Sequence, residues 1–442
     1  KKIKKGDRIA AILPNIPETV ISFLGAAKIG AIWSSCSADF GPKAVIDRFK
    51  QIKPKILIIS DYYYYNNKKI NTLDKIHEIK KELPSIKNII IAPYSNKIEK
   101  YDVKFEYDNW IKIMENKSIY KNYEIFDFNI PLYILYSSGT TGKPKCIVHG
   151  AGGSLIQHKK EHMLHCNINP KDKVFYYTSC GWMMWNWLIS CLASKATIVL
   201  YDGSPFIPNR EHLFDIVNKE NISFFGVGAK YLDTLRQEKI NIKNKYPLKK
   251  LKTIASTGSP LVHETFEYTY KHIKKDLHLT SISGGTDIVS CFVLGNPNLN
   301  VYSGEIQCKG LGMDVAVFNE KGNEIYQSKG ELVCKTTFPS KPLFFWNDKD
   351  NKKYISTYFK KYKNIWHHGD FAELTNNHGF IIYGRSDATL NAGGVRIGTA
   401  ELYRVVEDIK EINESIAVEH KYNNDTKVIL FVKLNKNFKF DK

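Results

Sequence analysis

The chain carries a series of short runs that are apolar on both faces: KILIIS (55–60), NIIIA (88–92), VFYYTS (174–179), ATIVLY (196–201) and ISFFGVG (222–228). A strand that alternates polar and apolar residues can leave one face in water, whereas runs like these must be covered on both sides. The stretches between them read as helices. In PNIPETVISFLGAAKIG, Asn15 stands as an N-cap with Glu18 three residues on, and Val20, Phe23, Leu24 and Ala27 form a helical stripe that ends at Gly30. PKAVIDRFKQI puts Val45, Phe49 and Ile52 on one face. Repeated helix–strand units of this kind predict an α/β fold of parallel sheets covered by helices.

At 442 residues the chain is too long for one simple core. From about Tyr302 the texture changes to glycine-punctuated β segments such as GEIQCKG and GELVCK, which predict a β-barrel-like subdomain. After Asp387 a new segment begins, with TAELYRVVEDI as a helix and KVILFVKL as a strand. The expected division is a large domain over 1–386 and a small α+β C-terminal domain over 387–442, the second incomplete. The abrupt start and finish suggest that the first domain also lacks its N-terminal part. DYYYYNNKK (61–69) reads as a surface loop.

The net charge of +19 raises the question of nucleic acid. Only seven of the 64 basic residues are arginines, and the lysines are scattered. Phosphate readers favour the planar fork of Arg, so no nucleic-acid partner is expected. Eight cysteines without a Cys-x-x-Cys pair fit a reducing, cytoplasmic setting. The most apolar stretch, 183–201, carries Asn186 and Lys195 and breaks into a helix-like and a strand-like half, so it reads as buried core and not as a membrane span.

YSSGTTGKPK (136–145) follows the strand-like PLYIL and combines hydroxyls, glycines and lysines, a vocabulary for cradling phosphate. Only Thr140 and Thr141 separate Gly139 from Gly142, too few for a Walker loop. This stretch resembles the phosphate loop of the acyl-adenylate-forming superfamily, which includes acyl-CoA synthetases, luciferases and peptide-synthetase adenylation domains. SGGTDI (283–288), WHHGDF (366–371) and GRSDATLNAGGVRIGTAE (384–401) are similar to the superfamily's other signatures and occur in the same order.

The resemblance implies an acid–thiol ligase that uses ATP, Mg2+ and CoA. Ser137, Ser138, Gly139, Thr140, Thr141, Gly142 and Lys145 would hold phosphates, with Gly258, Ser259 and Pro260 beside the adenine. Asp370 would take the ribose hydroxyls, and Arg385 and Arg396 would lie near the phosphates. Thr286 and Asp287 match a catalytic Thr-Glu pair whose acid helps hold magnesium, and Asp387 matches the hinge before the C-terminal domain. The superfamily's late C-terminal lysine, found in a Gly-Lys context, has no counterpart among Lys427, Lys433, Lys436, Lys439 and Lys442.

Longer stretches, among them IWSSCSADFG, GWMMWNWLISCLASKATIVLYDGSP and FPSKPLFFWND, are similar to the acetoacetate–CoA ligases. Acetyl-, propionyl- and butyryl-CoA synthetases of the same fold are the alternative. The resemblance implies a place in ketone-body and lipid metabolism. Acetyl-CoA synthetases carry a tryptophan before the Thr-Glu pair, where this chain has Gly284 and Gly285, so a roomier acid pocket is expected at Gly284. Trp182, Met183, Met184, Trp185 and Thr257 are the other candidates for its wall. His158, His162, His165 and Cys166 fit no common zinc signature and are expected on a partly exposed polar helix face.

Overall fold

The computed structural model describes residues 3–95, 97, 100–116, 123–137, 143–386, 389–392, 395–398, 402, 406, 409, 411–422, 425–435 and 438. The expected phosphate-loop residues Ser138, Gly139, Thr140, Thr141 and Gly142 lie outside these, as do Asp387 and the side chain of Arg396. The first strands are β1 (Arg8–Leu13), β2 (Ile32–Ser37), β3 (Ile56–Ser60), β4 (Tyr62–Tyr65), β5 (Lys68–Asn71), β6 (Asn88–Ala92), β7 (Asp108–Asn109), β8 (Pro131–Ser137) and β9 (Lys145–Gly150). They are followed by β10 (Lys173–Tyr176), β11 (Thr197–Val199), β12 (Phe224–Gly228), β13 (Thr253–Thr257) and β14 (His278–Ser281). The later part holds β15 (Ser283–Gly285), β16 (Ser290–Leu294), β17 (Cys308–Lys309), β18 (Val315–Phe318), β19 (Gly330–Cys334), β20 (Phe344–Phe345), β21 (Trp366–Leu374) and β22 (Phe380–Arg385).

Two large sheets form among the described residues, in the orders β20-β9-β8-β2-β1-β3-β6-β7 and β11-β10-β12-β13-β14. The second is parallel throughout, and the first is parallel from β8 to β7 with an antiparallel edge at β9 and β20. This is the arrangement the two-sided apolar runs demand. The expected β unit appears as the antiparallel sheet β18-β19-β21-β22. Toward the C-terminus, KVILFVKL lies in the strand Asp425–Leu434, whereas the helix expected over TAELYRVVEDI falls mostly outside the described residues.

The first helices are α1 (Pro17–Lys28), α2 (Pro42–Ile52), α3 (Ile76–Glu82), α4 (Trp110–Met114), α5 (Ala151–Lys160) and α6 (Met183–Ser190). Helix α2 buries Val45, Phe49 and Ile52 as expected. Helix α1 departs from expectation in two ways. Its cap position is Ile16, with no side-chain cap, because the Asn15 carboxamide oxygen instead accepts from the Trp185 indole at 3.0 Å. Its buried stripe runs through Val20, Phe23 and Ala26, leaving Leu24 46% exposed. The tyrosine-rich segment is not a loop: β4 and β5 pair as a hairpin, with Lys69 Nζ 3.7 Å from the Tyr62 ring centroid. No described helix is long and apolar enough to cross a membrane.

Candidate active site

In open parallel sheets, ligands gather where strands end at their carboxyl edge. Strands β2, β8, β13 and β14 deliver Ser35, Tyr136 and Ser137, Thr257 with the turn Gly258–Pro260, and Ser281 to the wall of one cavity of about 290 Å³. Gly258 has φ +95, a left-handed conformation that a side chain would strain, so glycine suits this turn. The Ser137 hydroxyl is buried, lines the cavity and has no hydrogen-bond partner among the described residues. Strands β15, β21 and β22 close the space with Gly284, Gly285, Asp370 and Arg385, and Thr286 borders it.

Asp370 and Arg385 face each other in register across β21 and β22 and form a buried ion pair at 2.9 Å. Arg385 also donates to the His368 carbonyl at 3.2 Å. His368 stands between the two halves of the site, its Nε2 lying 3.2 Å from the Gly284 carbonyl oxygen and 3.4 Å from Asp370. Asp287 is buried, and its Oδ1 accepts from Lys145 Nζ at 3.0 Å and from the Tyr358 hydroxyl at 2.6 Å. Thus the lysine at the start of β9 reaches the acid expected to hold metal. His149, also on β9, donates from Nε2 to the Thr286 carbonyl at 3.1 Å. Burial lowers the pKa of its imidazole to about 3, so it stays neutral at ordinary pH. One strand therefore braces both members of the Thr-Asp pair.

The apolar end of the cavity is lined by Trp182, Met183 and Met184, at the start of α6. Trp185 is a correction. It does not line the cavity but is fully buried in the core, stacked on Trp33 at 6.5 Å and edge-on to Phe23 at 5.8 Å. Helical geometry turns each successive residue about 100°, so a run of four cannot all face one pocket.

Gly284 lines the cavity as expected, but the room does not lie over it. The pairing of β15 with β16 shifts register between Ser283 and Gly284. A Cβ on Gly284 would lie 2.1 Å from the Ser290 carbonyl oxygen and 2.5 Å from Cys291 Cα, so no side chain fits there on this backbone. At Gly285 the nearest atom would be His368 Nε2 at 3.8 Å. The room lies over Gly285, on the opposite face of the strand. Gly284→Ala is accordingly expected to lower the melting temperature sharply, because backbone stands in its way. Gly285→Val should fold and, on the acid-ligase activity that the motif resemblance implies, shift the intact protein's preference toward shorter acids by about tenfold or more, read as the kcat/KM ratio of acetate to a four-carbon acid.

The His158 cluster also departs from expectation: His158, His162, His165 and Cys166 are buried, not partly exposed. No cluster of three or more His, Cys, Asp or Glu suited to a metal occurs among the described residues. Sequence reading missed Arg48, Phe40, Ser290 and Cys291 as cavity residues. Arg48 was visible only as one of seven arginines; its guanidinium lies 5.0 Å from the Phe40 ring and 5.8 Å from Tyr136. A second hollow of about 590 Å³, bordered by Tyr62, Lys69 and Tyr101, contains none of the motif residues.

A profile of the AMP-binding enzyme family matches residues 1–341. The chain belongs to the AMP-binding enzymes. It is 49% identical over 436 residues to the acetoacetyl-coenzyme A synthetase of Rhizobium meliloti (strain 1021), a match that covers 98% of this chain and 66% of the relative. It is 45% identical to the acetoacetyl-CoA synthetase of Xenopus tropicalis, covering all of this chain and 67% of that one. The solved acetoacetyl-CoA synthetase of Streptomyces lividans superposes with a TM-score of 0.84 at 39% identity, over 100% of this chain and 67% of its own. This AMP-binding enzyme chain therefore spans about two thirds of the length of these relatives, and its α/β architecture is theirs.

Proposed function

We propose that the protein to which this chain belongs is an acid–thiol ligase that joins acetoacetate to CoA at the expense of ATP. The observation that carries the reading is one cavity with a polar end, at Asp370, Arg385 and Gly258–Pro260, continuous with an apolar end at Trp182–Met184. The acetoacetyl-CoA synthetase relatives support the choice of acid. At about 290 Å³ the cavity lies near the lower limit for small-ligand sites, which suits a short acid at its apolar end.

In the first step a carboxylate oxygen of acetoacetate attacks the α-phosphorus of ATP in line. The bond to the bridging oxygen breaks, and pyrophosphate leaves. In the second, the CoA sulfur attacks the acyl carbon of acetoacetyl-AMP, AMP leaves with the bonding pair, and the thiol proton passes to solvent. Asp370 would accept the ribose hydroxyls and Arg385 would hold it in place. Ser137 offers an uncommitted hydroxyl, and Lys145 offers a point charge near the polyphosphate. Such sites hold Mg2+ on one or two carboxylates plus substrate phosphates, and the single buried carboxylate of Asp287 beside Thr286 fits that donor set. When bound there with ATP, the metal would withdraw charge from the phosphates.

ATP–pyrophosphate exchange in the intact protein tests the reading. Acetoacetate should support exchange at higher kcat/KM than acetate, propionate or butyrate. Faster exchange with acetate or butyrate would assign the protein to the other short-acid synthetases.

A further inference from the structure

Glu161 lies in the wide turn that continues α5 (161–165), is fully buried, and takes no part in the steps above. Its Oε1 accepts from Gln157 Nε2 at 3.0 Å, from the Ser290 hydroxyl and from the Cys291 backbone N–H at 3.4 Å. Its Oε2 accepts from the Trp187 indole N–H at 2.9 Å. It makes no ion pair among the described residues. All four partners donate, so both carboxylate oxygens act as acceptors.

Three of these partners, Ser290, Cys291 and Trp187, belong to the elements that wall the apolar end. Ser290 and Cys291 line the cavity from β16, and Trp187 stands one helical turn beyond Met183 and Met184 on α6. His158 repeats the bridge, with Nε2 2.5 Å from the Val289 carbonyl oxygen ahead of β16 and Nδ1 2.8 Å from Ser190 Oγ on α6. A buried carboxylate is costly even with the Lys160 charge nearby, and an apolar side chain of similar size would fill the volume more cheaply. What the carboxylate adds is direction. The Ser290 proton is committed to Glu161, while its oxygen accepts from Gln157 at 2.9 Å, so Ser290 offers the acid no hydroxyl donor.

On the acid-ligase reading above, we propose that Glu161 is a positioning residue for acid selection. It sets the spacing between Met183–Met184 and Ser290–Cys291, and it keeps the Ser290 proton turned away, so that the site favours short acids with an uncharged tip. Glu161→Gln places an amide N–H against groups that are already donors and must orphan one of them. The KM for acetoacetate is expected to rise about tenfold, the KM for ATP to stay within about twofold, and the preference for acetoacetate over succinate to shrink. Ser290→Ala should raise the KM for acetoacetate less and, having no hydroxyl to release, leave the preference over succinate intact; it decides the spacing role if Glu161→Gln does not fold. A parallel rise in both KM values, or unchanged kinetics with only a lower melting temperature, would overturn the proposal and leave Glu161 a structural residue. If the unmodified protein shows no preference for acetoacetate, the functional reading itself fails and the inference falls with it.

Discussion

Replacing Asp287 by asparagine is expected to lower acid-dependent ATP–pyrophosphate exchange in the intact protein by about 10²–10³-fold, the usual loss when one preorganised group leaves a transition state. The expectation rests on burial and partners as much as on motif. Asp287 is almost wholly enclosed, and Lys145 and Tyr358 both donate to one of its oxygens. Asparagine removes the charge that compensates Lys145 and the carboxylate proposed to hold a metal. Breaking such a buried pair typically costs about 3–5 kcal/mol, so the melting temperature should also fall. Asp287→Glu separates the two effects, because it keeps the charge and adds one methylene of reach. It should stay folded and within about tenfold of the unmodified rate. A folded Asp287→Asn protein that exchanges within threefold of normal would remove Asp287 from the mechanism.

The second large effect is acid lability at mild pH. Burial lowers the pKa of His149 to about 3, and it lowers His158 and, further, His162. In the unfolded chain each imidazole takes up its proton near pH 6.5, whereas in the folded chain it does so only at lower pH. The unfolded state thus binds more protons across that interval, and stability present in full above pH 6.5 is lost as the pH falls. His149 alone accounts for about 2 kcal/mol between pH 6.5 and pH 5, a large part of the 5–15 kcal/mol typical of folded proteins. Glu331 adds a later loss. Burial alone would push it up, but hydrogen bonds from His367, Lys361 and Ser386 outweigh that and hold it at about 2, so its contribution disappears only below pH 4.5. Urea midpoints at pH 7.5 and pH 5 should differ markedly, and equal midpoints would contradict neutral burial of these histidines.

Much of the fold was legible because two-sided apolar runs admit few architectures. KILIIS and NIIIA became neighbouring parallel strands, paired from Ile56↔Asn88 to Ser60↔Ala92. The motif residues Asp370, Arg385, Thr286 and Gly258 were legible because their chemistry is local to short segments. Properties that depend on facing or on distant partners were not. Nothing near Trp185 says that its indole turns toward Asn15, 170 residues earlier. The shift at Ser283–Gly284 exchanges the faces of two adjacent glycines, and glycines carry no side chain to reveal it. The His158 cluster reads as polar and therefore exposed, yet its partners Val289, Ser190 and Trp187 lie on elements that only the tertiary structure brings near.

The rung between Asp370 and Arg385 has a mechanical consequence. Immediately after it, the Ser386 backbone N–H donates to the Gly369 carbonyl at 2.9 Å, and its hydroxyl donates to Glu331. The carboxylate proposed for the ribose and the point where the chain departs toward its C-terminal part are thereby riveted to the same pair of strands. They move as one piece. If the later chain swivels, as proposed for Asp387, and a nucleotide sits on Asp370, as proposed above, filling or emptying the site would bear on the pivot without a relay in between.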